Sequence, residues 1–225
     1  MSAADIINLF LNVSIMEKAF GLLLDGFLMT LLLCVLVVPV GVAGGVGIAV
    51  LWALKSRGLN RALMVWVDVF RALPPLVLLV FVYNGPPFAG YQISEFTAVV
   101  VALGLNSMSY YGEIFRAGVE SIGRGSWEAA RSTGLGWGQT MAWVILPQAV
   151  RNVLPDLVSN TLEVVKLTSL ASVVALHELM YAARSAQQLT FNYSPLILAV
   201  LMYFIVLWPL VRLLSRLEHK KIAAR

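Results

Sequence analysis

Two oppositely charged residues lie three positions apart inside a long apolar run of this 225-residue sequence. At that spacing Glu163 and Lys166 share one face of a helix, and Thr168 and Ser169 follow directly. Charged groups in apolar surroundings are costly unless they pair or face a polar cavity. The pattern leaves two interpretations open: a structural ion pair, or a polar pathway in which the two charged groups contact a substrate. Thr168 and Ser169 could likewise contact a substrate or only hydrogen-bond between helices.

A second set of polar residues lies in another apolar run. Glu113 and Arg116 are again three residues apart, which favours a local salt bridge over contact with a substrate. Asn106 could add polar surface to a pathway, although packing between helices explains it as well. We treat Glu163, Lys166, Thr168, Ser169, Glu113 and Asn106 together as candidate pathway residues.

No arrangement of residues indicates an enzyme active site. His177 and Glu178 begin the zinc-binding pattern HExxH, but the second histidine is missing. No GxSxG nucleophile motif occurs, and no Gly-Lys dipeptide occurs, so a phosphate-binding P-loop is excluded. The sequence therefore predicts no catalytic residue and no metal site, and any energy from ATP hydrolysis must come from another polypeptide.

The composition is that of an integral membrane protein. Hydrophobic residues make up 60% of the chain and charged residues only 12%, whereas soluble proteins carry about 25% charged residues. Charged residues are absent from 26–54, 72–94, 96–112 and 185–211. Because a helix needs roughly 20 apolar residues to cross a bilayer, these gaps predict an all-α membrane fold.

Five membrane-spanning helices are predicted. The first four are placed at about 21–54, 62–83, 93–115 and 153–179, and the fifth ends near Leu214. The corresponding domain prediction is an N-terminal periplasmic or interfacial segment (1–20), a transmembrane domain (21–215) and a cytoplasmic tail (216–225).

The distribution of basic residues sets the predicted orientation. With five spans, thirteen of the sixteen Lys and Arg residues lie on one side, which the positive-inside rule identifies as the cytoplasm. The N-terminus is then outside and the C-terminus inside. The net charge of +4 is explained in this way, without a nucleic-acid partner.

The segment 124–151, between the third and fourth spans, is predicted to be a structured cytoplasmic loop. Ser126 is a plausible N-cap for a short helix, Glu128 suits its first turn, and Gly134 suits its end. A second helical piece is expected from about Trp137 to Ile145, before the prolines at 147 and 155 break the pattern. Such helices on a rigid scaffold can dock on a partner and move as a unit.

Motifs in this loop and beside it resemble those of one transporter family. Glu128, Ala129, Ala130, Gly134 and the run 144–147 (Val-Ile-Leu-Pro) resemble the EAA loop of ABC-importer membrane subunits. The runs 70–74, 110–122, 151–155 and 166–170 are similar to polar-amino-acid permeases of the histidine, glutamine and arginine type, with Leu167 where that family usually has Asp.

The resemblance implies a bacterial inner-membrane, multi-pass permease subunit that imports a polar amino acid or a derivative by alternating access. The predicted ATPase-coupling residues are Ser126, Glu128, Ala129, Ala130, Gly134 and Pro147. The implied partners are an ATP-binding subunit that holds ATP and Mg, a second permease copy or homologue, and a periplasmic substrate-binding protein. The chain itself is expected to bind no cofactor and to be no enzyme. The alternative is a membrane scaffold or an ATP-independent channel.

Overall fold

The computed structural model describes residues 3–223, and the side chains of residues 5–217 within them. The ends of the predicted N-terminal segment and tail, residues 1–2 and 224–225, lie outside the described residues. Every regular element in the described part is helical. The α-helices are α1 (Ala3–Phe10), α2 (Val13–Trp52), α3 (Arg57–Ala72), α4 (Pro75–Phe88), α5 (Glu95–Glu120), α6 (Arg124–Ser132), α7 (Trp137–Thr140), α8 (Leu146–Leu167), α9 (Leu179–Thr190) and α10 (Ser194–Ala223). A π-helical segment, Met141–Ile145, precedes α8, and a 3-10 helix, Thr168–Val174, follows it. The all-α prediction is confirmed.

Three helical stretches of the described residues are long and apolar enough to cross a membrane. They are Asp5–Trp52, Trp137–Val174 and Ser194–Leu217. A fourth is obtained if α3 and α4, which pass the same test only as a bent pair, count as one span. Length and apolar composition together make this a multi-pass helical membrane protein.

The second predicted span, 62–83, was wrong as a single continuous helix. The helix α3 ends at Ala72, and Leu73 adopts an extended conformation (φ −73°, ψ 127°) before the prolines at 74 and 75. A residue that precedes proline is disfavoured in the helical region, because the proline ring crowds its backbone. The chain therefore leaves one helix and begins another at Pro75.

The fourth predicted span, 153–179, also departs from a single helix. The helix α8 begins earlier, at Leu146, and tightens to 3-10 geometry at Thr168. The chain then leaves helical geometry at Ala175, which has a left-handed backbone with φ 60°. The C-terminal helix α10 continues past the predicted end of the fifth span to Ala223, so part of the predicted tail is helical.

The chain divides into two compact units. The first comprises residues up to Val37, Pro75–Leu103 and Leu162–Arg212. Its core joins the N-terminal half of α2 to α9 and α10 through small and branched apolar side chains. These are Ala19, Leu23, Leu179, Ala182, Ala183, Ala186, Ala199 and Met202.

The second unit comprises Val38–Pro74, Gly104–Thr161 and the residues from Leu213. In it α2 approaches α5 closely at glycine positions. A Cβ atom at Gly41 would lie 2.7 Å from Ser107 Cβ, and one at Gly45 would lie 2.5 Å from Tyr111 Cβ. Small residues at a helix interface allow this close approach in membranes. Gly41, Gly44 and Gly45 all serve this packing, whereas Gly47 faces open space.

Candidate functional site

The candidate coupling helix is α6, nine residues long, in the second unit. Its N-cap is Gly123, which is extended (φ −61°, ψ 152°), and no side chain caps it. The prediction that Ser126 is the N-cap was wrong: Ser126 lies inside the first turn and is half-buried. Because glycine tolerates the N-cap position almost as well as a serine does, the helix can start earlier than a search for a capping side chain suggests.

Gly134 ends this part of the chain as predicted. Its backbone is left-handed (φ 86°), a conformation that glycine adopts without steric cost. The last carbonyl groups of α6 are satisfied locally, since Thr133 Oγ1 donates to Ala130 O (2.8 Å) and Ser132 Oγ donates to Glu128 O (2.9 Å). Gly134 therefore makes the turn that separates α6 from α7.

The three residues of the Glu-Ala-Ala motif differ in exposure. Ala130 is buried (7% exposed), while Glu128 and Ala129 face outwards. Within the described residues the Glu128 carboxylate has neither a hydrogen bond nor an ion pair. The motif thus presents one free carboxylate beside a residue small enough to permit close approach of another surface.

The second helical piece does not stop at Pro147, and that prediction was wrong. The short helix α7 begins at Trp137, where Gln139 Oε1 accepts a hydrogen bond from Gly136 N (2.9 Å). The π-helical segment then leads into α8, with Leu146 N donating to Met141 O. Pro147 is the second residue of α8, and the π-helical segment directly before it changes the hydrogen-bond register, which accommodates a residue without an N–H donor. Pro155, also expected to break the pattern, lies within α8.

A packed cluster holds α6 and α7 on the longer helices. Val119 of α5, Met141 and Ile145 of the π-helical segment and Ala149 of α8 are buried together. The indole rings of Trp127 and Trp137 pack against this cluster and are half-buried. Close packing of this kind transmits displacement, so a movement of α6 would be shared by α5 and α8.

An open groove of about 860 Å³ lies beside Glu128 in the same unit. Its walls carry three tryptophans and four basic side chains: Trp52, Trp127, Trp137, Lys55, Arg57, Arg61 and Arg124. Glu120 supplies the second carboxylate of the groove, and this carboxylate already has hydrogen-bond partners within the chain. It accepts hydrogen bonds from Trp52 Nε1 (3.0 Å) and Arg116 Nη1 (2.7 Å).

Two of the predicted pathway residues belong to this second unit. Glu113 forms a salt bridge with Arg116 (2.6 Å), which confirms the local ion pair favoured by their spacing. Asn106 is buried, and its Nδ2 donates to Phe70 O (3.1 Å). Phe70 supplies one of the last carbonyl groups of α3, so Asn106 satisfies an acceptor that the end of that helix leaves free.

The other four predicted pathway residues belong to the first unit. Glu163 and Lys166 pair at 2.7 Å, and both side chains are more than half exposed (61% and 53%). The hydroxyl groups of Thr168 and Ser169 donate to carbonyl oxygens of their own helix, at Val165 (2.7 Å) and Lys166 (2.8 Å). The structure therefore brings Glu163 and Lys166 together, while it commits both hydroxyl groups to the helical backbone.

Sequence reasoning considered Glu178 only as part of an incomplete HExxH pattern and missed its structural role as a fully buried carboxylate in the first unit. Its two oxygens accept from the backbone N–H groups of Met180 and Tyr181 (2.8 Å each), and Tyr203 Oη donates to Oε2 (3.0 Å). Thr30 completes the cluster, because its Oγ1 accepts from Leu179 N (3.1 Å). The residue was overlooked because glutamate is not among the preferred N-cap residues. The signal that could have indicated this role was a single carboxylate in a stretch between two apolar runs.

Comparisons with known proteins agree with this architecture. Residues 45–222 match the model of a family described as "Binding-protein-dependent transport system inner membrane component". The chain is 34% identical over 200 residues to the arginine transport system permease protein ArtQ of Bacillus subtilis (strain 168), covering 88% of this chain and 91% of that protein. It is 33% identical over 209 residues to the probable glutamine ABC transporter permease protein GlnP of the same organism, covering 91% and 96%.

A solved structure is similar in both sequence and fold. The crystal structure of an amino acid ABC transporter with histidines matches with a TM-score of 0.80 and 35% identity, over 91% of this chain and 96% of that one. The chain therefore belongs to the family of binding-protein-dependent transport system inner membrane components, the permease subunits of ABC importers.

Proposed function

We propose that this chain is the membrane subunit of a bacterial inner-membrane importer that carries a polar amino acid, driven by ATP hydrolysis on a separate subunit. The observation that carries the coupling part is the free, exposed Glu128 on a short helix that Gly134 terminates and that packs on α5 and α8. The substrate class rests on relatives named for arginine and glutamine transport and on a structure named for an amino acid transporter.

The proposed topology has five spans, with the N-terminus outside and the C-terminus in the cytoplasm. It requires α3 and α4 to act as one broken span and α5 to cross the membrane as well. The positive-inside distribution supports this arrangement, because it gathers thirteen of the sixteen basic residues on one face. The segment 124–151 is then cytoplasmic, where an ATP-binding subunit can reach it.

The coupling residues have distinct proposed roles. Glu128 accepts hydrogen bonds or a basic side chain from the ATP-binding subunit, and Ala129 allows the two surfaces to approach. Ala130 and the tryptophans hold α6 on the scaffold. Gly134 fixes the angle between α6 and α7, while Ser126 and Pro147 support the ends of the loop. Closure of the ATP-binding subunits would displace α6, and the packed cluster would pass that displacement to α5 and α8.

The remaining partners follow from the same proposal. ATP and Mg bind to the partner ATPase and this chain holds neither. Two permease chains, identical or homologous, enclose the pathway, and a periplasmic binding protein delivers the substrate. Glu163, Lys166, Thr168, Ser169, Glu113 and Asn106 remain the proposed pathway residues. Among them the Glu163–Lys166 pair is the best placed, since both charged groups are exposed.

Co-purification tests this proposal directly. The chain, tagged and extracted from its native membrane in a mild detergent, should carry with it a polypeptide that contains a P-loop and hydrolyses ATP. The reconstituted complex should take up a radiolabelled polar amino acid only when ATP is enclosed on the cytoplasmic side. A chain that purifies reproducibly without an ATPase, or that passes substrate without ATP, would instead be the scaffold or the ATP-independent channel.

A further inference from the structure

The groove beside α6 has a charge imbalance that the coupling role does not use. Lys55, Arg57, Arg61 and Arg124 line it and are exposed, and within the described residues none of these four has an ion pair or a side-chain hydrogen bond. Of the two carboxylates that line the groove, that of Glu128 is the free one, so one negative charge faces four positive charges. Four uncompensated basic groups on one wall form a site for an anion.

The start of α3 adds to this positive potential. Ser56 occupies the N-cap but makes no capping hydrogen bond with its side chain, so the first backbone N–H groups of a 16-residue helix remain available. Helix N-termini with free N–H groups bind phosphate and carboxylate groups. Arg57 and Arg61 are four residues apart, so both side chains lie on the same face of α3, in the wall of the groove.

Lys55 lines the groove although its backbone adopts a conformation that is unfavourable for a lysine. Its φ is 56°, in the left-handed region where glycine is the usual residue after the end of a helix. Lys55 follows the end of α2, and its N–H donates to Trp52 O (3.1 Å). The position therefore combines a steric cost with a cationic side chain that points to no partner among the described residues.

An apolar groove continues from the basic one along α3. It has a volume of about 540 Å³ and is lined by one stripe of the helix: Arg61, Ala62, Val65, Trp66, Val69 and Phe70. Arg61 belongs to both grooves. Val65 is 62% exposed, and the rings of Trp66 and Phe70 lie 4.8 Å apart. A ligand that fills both grooves must carry an anionic group at the end of an apolar chain.

We infer that the two grooves form a binding site for an anionic phospholipid of the phosphatidylglycerol class. The headgroup phosphate binds Lys55, Arg57, Arg61 and Arg124 at the N-terminus of α3, and an acyl chain lies along the Val65–Phe70 stripe. An acidic protein segment would match the charges but leave the stripe uncovered. The inference depends on the chain lying in a membrane and is independent of the proposed coupling role.

Native mass spectrometry of the full chain, with any subunits that accompany it, tests the site. The protein is presented with equal amounts of dioleoylphosphatidylglycerol and dioleoylphosphatidylcholine in a neutral detergent. The wild-type protein should retain phosphatidylglycerol preferentially, and Arg57→Gln and Arg61→Gln should each lower the preference by about fivefold. The matched control is Arg151→Gln, because Arg151 is exposed on α8 and lines neither groove. An unchanged preference in both variants, or an equal loss in the control, would overturn the site.

Lys55→Gly separates binding from folding. Glycine relieves the left-handed backbone at this position, so the melting temperature should stay the same or rise while the preference for phosphatidylglycerol falls. A fall in melting temperature with an unchanged preference would show that Lys55 acts in folding and not in lipid binding.

Two further experiments distinguish the lipid from the other possible occupants of the site, a soluble anion and a second subunit. Glycerophosphoglycerol, the headgroup without acyl chains, should not displace the lipid at equal concentration, and Val65→Ser should weaken lipid retention. Displacement by the free headgroup would reduce the site to one for a soluble anion. If Val65→Ser instead lowered the dimer population with lipid retention unchanged, the stripe would be a subunit interface and the lipid assignment would be wrong.

Discussion

Two glutamates, one at the start of α9 and one in the middle of α6, show how differently this chain uses the same side chain. Glu178 is fully buried at the start of α9, and its oxygens accept hydrogen bonds from two backbone N–H groups and from Tyr203. Glu128, in α6, is exposed and has no side-chain partner among the described residues. Buried polar groups are costly unless they are satisfied, so Glu178 is explained by the fold alone. Glu128 contributes nothing comparable within the chain, which leaves it available to a partner.

The largest expected effect on stability is at the buried member of this comparison. Glu178→Ala removes the N-cap of α9 and leaves Tyr203 Oη without its acceptor, so it should lower the free energy of unfolding by about 2–4 kcal/mol. Glu178→Gln keeps acceptor capacity and should cost less. Thermal unfolding of the detergent-purified chain measures both. If the alanine variant melted with the wild type, the hydrogen-bonded cluster would not be a source of stability.

The next effect concerns the contact of α2 with α5. A Cβ atom at Gly45 would lie 2.8 Å from Gly112 N, which is backbone and cannot move aside, so Gly45→Ala should destabilise by about 1–3 kcal/mol. Gly47, two residues along α2, has nothing within 4 Å of a Cβ atom. Gly47→Ala is therefore the matched control, and it should be neutral or stabilise by up to about 1 kcal/mol. Equal melting temperatures for the two variants would contradict the close helix approach.

A smaller effect is expected at the turn after α6. Gly134→Ala places a Cβ atom on a residue with φ 86° and should cost about 1–2 kcal/mol. Gly138→Ala is the control, because Gly138 lies in α7 and has open space around its Cβ position. Gly134→Asn should recover part of the loss, since asparagine tolerates the left-handed region. The turn would not depend on glycine if alanine were accepted at both positions without loss.

A still smaller stability effect is expected at Glu163. Its pair with Lys166 is more than half exposed on both sides and should contribute no more than about 1 kcal/mol. Glu163→Gln should therefore fold normally, yet impair uptake of a cationic amino acid if this carboxylate faces the pathway. Uptake kinetics in proteoliposomes decide the point. Unchanged kinetics would restrict the pair to a structural role.

The sequence was informative where local chemistry decides the structure. The charge-free runs 26–54 and 185–211 overlap two of the helices that are long and apolar enough to cross a membrane, and Gly134 indicated the end of α6, because glycine adopts a left-handed backbone without steric cost. The sequence was misinterpreted where the residues that follow a position decide its backbone conformation. Leu73 is an unremarkable residue, but the two prolines that follow it split the second predicted span.

The remaining misses had both local and long-range causes. Ser126 is a preferred N-cap residue, yet the helix starts at Arg124. Pro147 is accommodated by the π-helical segment that precedes it. Glu178 is stabilised by Thr30 and Tyr203, which are far from it in sequence. The groove likewise depends on segments that are far apart in sequence, because its basic residues come from the region of the α2–α3 connection and from α6.

Reconstituted transport by a Glu128 variant tests the central claim most directly. Glu128→Ala should leave the free energy of unfolding within about 0.5 kcal/mol of the wild type, because the side chain is exposed. It should lower ATP-dependent uptake by about tenfold or more, as expected for the loss of a hydrogen-bonded charge at an interface. Glu17→Ala, an exposed carboxylate in the first unit, serves as the control and should transport normally. Uptake and coupled ATP hydrolysis at wild-type levels in Glu128→Ala would contradict the account.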